Sequence, residues 1–372
     1  MIDHATHSDP AVQRQLDRLD RLRLTTGRYT LDTMREMLSR LGDPQLRLPP
    51  VLHVAGTNGK GSTCAFLRAM IEADGQSVHV YTSPHLVRYN ERIRVAGSLI
   101  GDADLAALLE EVLDMAEPLG PSFFEVTTAA AFLAFARTPA AATILEVGLG
   151  GRLDATNVIE HPAACGIAAL GRDHEEFLLR PEAGLPADTM ARLAFEKGGI
   201  ARPGTPLVTL SYPESARLEL ERLVRVAGAP LAMRGAHWHS STTDLLHYAD
   251  RHGELVLPRP TLPGRHQSEN AALAIAMLRH QDFVSVSDDA LARGLSTARW
   301  PARLQLLNQG PLAELATGHD LWLDGGHNPS AGEALAQHFA DAVGVHLILG
   351  MLDRKDPAAL TGPLADKIVS LQ

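Results

Sequence analysis

Residues 49–75, PPVLHVAGTNGKGSTCAFLRAMIEADG, constrain the fold more than any other stretch. PPVLHVAG reads as a short buried strand. A glycine-rich segment follows, and STCAFLRAMIEADG then carries the apolar spacing of a helix ending near Gly75. Strand, glycine loop and helix in that order make a β–α turn suited to phosphate, because glycines let backbone N–H groups face an anion at a helix N-terminus. The segment fails the usual G-x-x-x-x-G-K-[ST] pattern: Val54 stands where the first glycine belongs, and Gly61 where Ser or Thr belongs. Gly56, Gly59 and Gly61 still allow sharp turns, Lys60 supplies a point charge, and Ser62 and Thr63 are expected to cap the helix.

The alternation continues along the chain. SVHVYTSP, AATILEVGLGG, ACGIAALGRDH and TPLVTL read as strands. DADLAALLEEVLDMAEPLG, FFEVTTAAAFLAFAR, ADTMARLAFEKGGI, HQSENAALAIAMLRH and SDDALARGLSTA read as helices. This predicts an α/β fold with a P-loop-type, mostly parallel sheet over residues 1–298. Trp300-Pro301 interrupts the helical pattern, which places a hinge at 299–303. A smaller, Rossmann-like α/β domain is expected over 304–372, with strands, LWLDGGHNPS, a helix, VHLILGML, a helix and KIVSL. In parallel sheets ligands gather at the carboxyl ends of strands. The chemistry-bearing residues fall there: the 56–62 loop, Ser83, the segment from Glu146 to Gly151, and Asp173-His174.

The net charge of −10 argues against nucleic-acid or anionic-membrane binding through overall charge. No stretch of about 18 apolar residues offers a membrane span, and the polar N-terminus lacks a signal-peptide pattern. The two cysteines, Cys64 and Cys165, have no metal-type spacing and are expected to be buried thiols in a reducing cytoplasm. Of 34 basic residues only Lys60, Lys197, Lys355 and Lys367 are lysine. Where arginine has taken most positions, a remaining lysine marks a need for a compact point charge or a modifiable amine. That reading applies to Lys60 and Lys197; Lys367 reads as chance survival.

Other candidates follow from residue chemistry. Ser83 can offer a hydroxyl to a hard cation, and Arg88, Arg92 and Arg94 can hold phosphate or carboxylate, or make ordinary ion pairs. Glu146 lies in an apolar strand, where a carboxylate is costly unless it binds metal or pairs with a charge.

GTNGKGST resembles the loop of folylpolyglutamate synthases and dihydrofolate synthases, relatives of the Mur peptidoglycan ligases, whose own loop lacks the extra glycine. Further blocks occur in the family's order: TSPHL…NERI, EVGLGGRLDATN, RDH, EKGGI, LPGRHQSENAA, WPAR, DGGHNPS and GMLDRKD. The resemblance runs from about residue 28 to the end. It implies that Thr57, Asn58, Gly59, Lys60, Gly61 and Ser62 bind ATP with Gln267, Asn270, Arg303, Asp324 and His327. It implies Mg²⁺, two ions in all, at Ser83, Glu146, His174 and a carbamylated Lys197, with Lys60, Lys197, His174 and His327 catalytic. Arg92, Asp154 and Ala155 are implied on the folate side. The implied reaction joins L-glutamate to dihydropteroate, or to the γ-carboxylate of a folate, with ATP cleaved to ADP and phosphate. No nucleic-acid or membrane partner is expected, and the resemblance implies a cytoplasmic monomer.

Three departures stand out. RPEAGLPA, residues 180–187, reads as an insertion. Ala302 and Gly326 replace the usual glycine and alanine of their blocks. Family members continue for tens of residues beyond KIVSLQ, so the C-terminal domain is expected to be incomplete. A Mur-type peptidoglycan-precursor ligase, or a nucleotide-binding module without ligase activity, are the alternatives; Gly61 and the EVGLGGRLDATN block weigh against the first.

Overall fold

The computed structural model describes residues 5–22, 30–180, 182–352 and 355–372. The start of the resemblance at residues 28–29, position 181 of the 180–187 segment and positions 353–354 of LGMLDRKDP lie outside the described residues.

Eight strands form the main sheet: β1 (Val51–Ala55), β2 (Val78–Tyr81), β3 (Ile93–Val95), β4 (Ser98–Leu99), β5 (Ala142–Glu146), β6 (Ala164–Ile167), β7 (Leu207–Thr209) and β8 (Leu231–Met233). Their order is β4-β3-β2-β5-β1-β6-β7-β8. From β2 to β8 every pairing is parallel, with Val54 opposite Glu146 on one side of β1 and Gly166 on the other. β3 and β4 close one edge as an antiparallel pair, so the TSPHL…NERI block runs from β2 into β3 rather than forming a loop alone.

The central strands are apolar at nearly every position because both faces are covered. In β1, Leu52 and Val54 join a core with the helices Lys60–Ala73 and Arg265–Arg279, while Val51 and Ala55 join cores on the other face. That opposite face carries the helices Asp102–Ala116 and Phe123–Arg137 at one end and Thr189–Gly198 and Glu214–Ala227 at the other. Successive crossovers leave β1 toward β2 and β5 on one side and toward β6 on the other. This reversal opens a crevice at the carboxyl end of β1.

The stretch from 211 to 262 received no assignment from sequence. It holds helix Glu214–Ala227, β8, and a three-stranded antiparallel sheet of β9 (Trp238–Thr242), β10 (Leu245–Asp250) and β11 (Gly253–Pro258). Trp238 is fully buried and donates from Nε1 to Ala232 O at 3.1 Å, tying this sheet to the main one. Arg279 grips Asp250 through two hydrogen bonds of 2.8 and 2.9 Å. Removing one partner of such a buried pair costs about 3–5 kcal/mol.

Beyond residue 303, β12 (Gln305–Leu306) and β13 (Trp322–Leu323) pair antiparallel, and β14 (Val345–Leu347) and β15 (Ile368–Leu371) pair parallel. The described strands here form two pairs rather than one continuous sheet. Helix Pro329–His338 follows the DGGHN loop, with Asn328 accepting from Ala331 N as its N-cap. Among the described residues no helix is long and apolar enough to cross a membrane.

Candidate functional site

The phosphate-type loop leaves β1 at its carboxyl end. Thr57 N donates to Ala169 O at 2.8 Å, and the Thr57 hydroxyl bridges Gly171 O and Gly171 N at 2.9 and 3.0 Å, so the loop is strapped to the one after β6. Gly59 has φ +86°, and a Cβ there would run into Asn270 Oδ1. Helix Lys60–Ala73 starts directly after it. Ser62 and Thr63 are therefore inside the first turn and do not cap it: no side chain caps this helix, and the Thr63 hydroxyl donates back to Gly59 O at 2.9 Å. The first-turn amides are left for an anion.

Lys60 Nζ folds over the loop, donating to Gly56 O at 3.0 Å and Thr57 O at 3.2 Å. Lys197, nearly fully buried near the end of its helix, donates to the same Gly56 O at 3.0 Å. Burial, reinforced by the charge of Lys60, pushes the Lys197 amine down to about 7. Gln267 and Asn270 are buried beside the loop. Asn270 Nδ2 donates to Gln267 Oε1 at 3.1 Å, which leaves Gln267 Nε2 a buried donor without a partner.

Glu146 ends β5 and is buried, with its Oε2 accepting from Ser83 N at 3.1 Å. Burial pushes its pKa up, against the attraction of Lys60, the Ser83 amide, and the charges of Arg303 and Arg92. His174 has φ +52°; burial takes its imidazole down to about 4, against the pull of Asp173, so it is neutral at pH 7 and able to ligate. Among the described residues no three His, Cys, Asp or Glu side chains cluster closely enough to hold a metal alone. An oxygen-preferring cation that keeps waters and takes substrate phosphate oxygens fits such a sparse set, Ser83 and Glu146 above all.

On the other flank, Arg92 is buried with its guanidinium over the rings of Tyr89 (5.3 Å) and Phe123 (5.4 Å), and Nε donates to His85 Nδ1 at 2.9 Å. Asp154 is buried with its carboxylate turned into its own loop. It accepts from Leu149 N at 2.9 Å, from Thr156 N at 3.0 Å and from the Thr156 hydroxyl at 2.5 Å. That hydroxyl also meets His53 Nε2 at 2.8 Å, and burial holds His53 neutral with a pKa near 3. Asp154 thus shapes the loop around the buried Ala155.

Toward the C-terminal end, Asp324 accepts from Leu304 N and Gly326 N, both at 2.7 Å, and Arg303 Nη1 donates to Ala302 O at 2.9 Å. His327 Nε2 lies 3.1 Å from Asp173 Oδ2. Asn58 and Asn328 exchange amide hydrogen bonds of 3.1 and 2.9 Å, and Lys355 pairs with Asp173. Asn328 escaped selection from sequence although it stands in a quoted block, and Asp173, picked out with His174 at a strand end, had no role of its own assigned. Polarity alone does not reveal that they meet across 155 residues.

The residues named from sequence for ATP, metal and folate line one cleft of about 1840 Å³, whereas Arg88 and Arg94 do not: Arg88 pairs with Asp102, and Arg94 Nη1 donates to Gly97 O at 2.6 Å. Lys355 lines the cleft as well, so three of the chain's four lysines meet there. In the 180–187 segment, Arg180 and Glu182 reach its rim while residues 183 and 184 are exposed.

No family model matches the chain. It is 37% identical over 331 residues to a dihydrofolate synthase/folylpolyglutamate synthase of Bacillus subtilis, covering 82% of this chain and 71% of that protein. Escherichia coli FolC, solved in complex with DHPP and ADP, superposes with a TM-score of 0.84 at 32% identity, covering 98% of this chain and 83% of that one. A bifunctional folylpolyglutamate synthase/dihydrofolate synthase with Mn, AMPPNP and L-glutamate bound gives 0.82 at 30% identity, covering 97% and 82%.

Proposed function

The chain belongs to the dihydrofolate synthase/folylpolyglutamate synthase family, and from that premise we propose that it is an ATP-dependent ligase adding L-glutamate to dihydropteroate, to the γ-carboxylate of a folate, or to both. The observation that carries this reading is the convergence of the Lys60 loop, the Ser83–Glu146 pair and the Asp154 loop on one cleft whose far wall holds Asp324 and His327.

In this reading a substrate carboxylate oxygen attacks the γ-phosphorus of ATP, the bond to the β-phosphate oxygen breaks, and ADP leaves. The amine of glutamate, as free base, attacks the carbonyl carbon of the acyl phosphate; phosphate leaves and the amine proton is lost. Lys60 and the amides of Thr57 to Ser62 hold the β- and γ-phosphates. Gln267, through its partnerless Nε2, and Asn270 meet nucleotide oxygens, with Arg303, Asp324 and His327 facing them from the hinge side. The rate gain comes from positioning and charge stabilisation. Arg92 receives the anionic end of the pteroate-type acid, and Asp154 sets the loop that carries Ala155.

A divalent cation fits Ser83, Glu146 and neutral His174, and when bound it supplies neutralisation of phosphate charge. Two ions, with Lys197 carbamylated to a carboxylate-like group, complete the proposal; an amine held near 7 is available as the free base that reacts with carbon dioxide. Residues 1–298, the hinge 299–303 and residues 304–372 are taken as the working units of a cytoplasmic monomer. Incubation with ATP, Mg²⁺, glutamate and each acceptor in turn, followed by mass spectrometry, tests the reading. An amide product from dihydropteroate or tetrahydrofolate supports it. Product only from a peptidoglycan precursor, or from none, overturns it.

A further inference from the structure

Gly61, the residue that spoils the standard loop pattern, lies against an aromatic ring. It is the second residue of helix Lys60–Ala73, and a Cβ on it would come within 2.8 Å of Cζ2 and Nε1 of Trp300. Any side chain at 61 would therefore push either the helix start or the indole. Trp300 is half-buried and packs against the core that the same helix forms with Arg265–Arg279.

Trp300 stands on the segment linking the body to residues 304–372, and that segment is bonded at both ends. The Thr261 hydroxyl donates to Ala298 O at 3.2 Å before it. After it, Ala302 N donates to Gln305 Oε1 at 2.9 Å, Gly325 N to Ala302 O at 3.0 Å, and Leu304 N to Asp324 Oδ2 at 2.7 Å. Ala302 and Leu304 both adopt left-handed backbone, φ +52° and +45°, which residues with a Cβ accept only when the surroundings impose it. The linker is a bracket with a fixed shape. One end presses an indole on the phosphate loop, and the other clamps the Asp324–His327 loop.

We propose that Trp300 is a positioning residue: resting on Gly61, it sets the phosphate loop relative to the Asp324–His327 loop, so that nucleotide binding and the placement of the C-terminal unit are registered through one contact. The inference rests on the nucleotide reading of the cleft. It gives the extra glycine a cause, since an indole can lie on a helix start only where no Cβ intervenes.

The test is a double-mutant cycle on the full chain with Gly61→Ala, Trp300→Ala and the pair, plus Trp300→Phe, using calorimetric binding of a non-hydrolysable ATP analogue, tryptophan emission and steady-state turnover. Gly61→Ala is expected to weaken the analogue about tenfold or more, and adding Trp300→Ala to restore binding to the level of Trp300→Ala alone. Trp300→Ala is expected to lower kcat about tenfold, with Trp300→Phe recovering most of it. The analogue should shift the emission of the wild type and not of Trp300→Phe. Additive losses in the pair, or an emission shift that persists in Trp300→Phe, overturn the inference while leaving the nucleotide reading intact. A wild type that binds no analogue overturns both.

Discussion

Lys60 and Lys197, 137 positions apart in the chain, place their ammonium groups on one acceptor, the carbonyl of Gly56, each at 3.0 Å. Two amines so close need a strong reason to persist, since burial and the Lys60 charge push Lys197 down to about 7. In a chain where 30 of 34 basic residues are arginine, the proposed reading supplies that reason in chemistry that guanidinium cannot perform: a point charge on phosphate in one case and a modifiable amine in the other.

Lys60→Ala should lower kcat/KM for ATP by about 10²-fold or more, the scale for removing one donor to developing charge. Lys60→Arg should recover little, because a planar guanidinium does not reproduce the compact point charge that the ammonium holds at Gly56 O and Thr57 O. Phosphate-release kinetics on both variants check this; near-normal turnover in Lys60→Arg would contradict it.

Lys197→Arg keeps the charge and removes the modifiable amine. It should lose most activity, and ¹³C-bicarbonate should give a carbamate carbonyl resonance in the wild type that the variant lacks. A fully active Lys197→Arg would show that modification is dispensable.

Asp173 joins the body to His327, Asn328 and Lys355. Burial pushes its carboxyl up, but the hydrogen bonds from His327 and Lys355 outweigh this and hold it well below the usual range. A carboxylate depressed by folding adds stability above its unfolded pKa and loses it as pH falls. Asp173→Asn should therefore cost about 1–3 kcal/mol at pH 7. The gap to wild type should narrow below about pH 4, where the unfolded carboxyl is protonated. Urea unfolding at pH 7 and pH 3 measures it; an unchanged gap would contradict the pairing.

Asp154→Asn should act on the acceptor and not on the nucleotide. Its carboxylate accepts three hydrogen bonds from its own loop, so the variant should raise KM for the pteroate-type acid about tenfold while KM for ATP stays near wild type. Equal rises in both would place Asp154 elsewhere in the mechanism.

Residues with unusual chemistry were legible in the sequence. Glu146 in an apolar strand, the glycines around Lys60 and the scarce lysines all violate a local expectation, and all but Lys367 line the cleft. Strand order was not legible, because nothing in β1 names β5 and β6 as its neighbours. The sheet of β9 to β11 was missed although its period of two is present. In Trp238–Thr242 the apolar side of the alternation is mostly Ser and Thr, and only Trp238 is buried. Ser62 and Thr63 were misplaced by a few residues because a left-handed Gly59 lets the helix begin at Lys60, a backbone choice that side-chain preference does not reveal. Asn328 escaped notice, and Trp300 was legible only as a break in the helical pattern, because their meaning lies in what they touch.

The central claim is that the cleft couples ATP cleavage to amide formation. Phosphate release by the purified chain, measured with and without L-glutamate and with and without dihydropteroate or tetrahydrofolate, tests it most directly. The account predicts sustained release only when glutamate and a pteroate-type acid are both present. Release at the same rate with neither would contradict it.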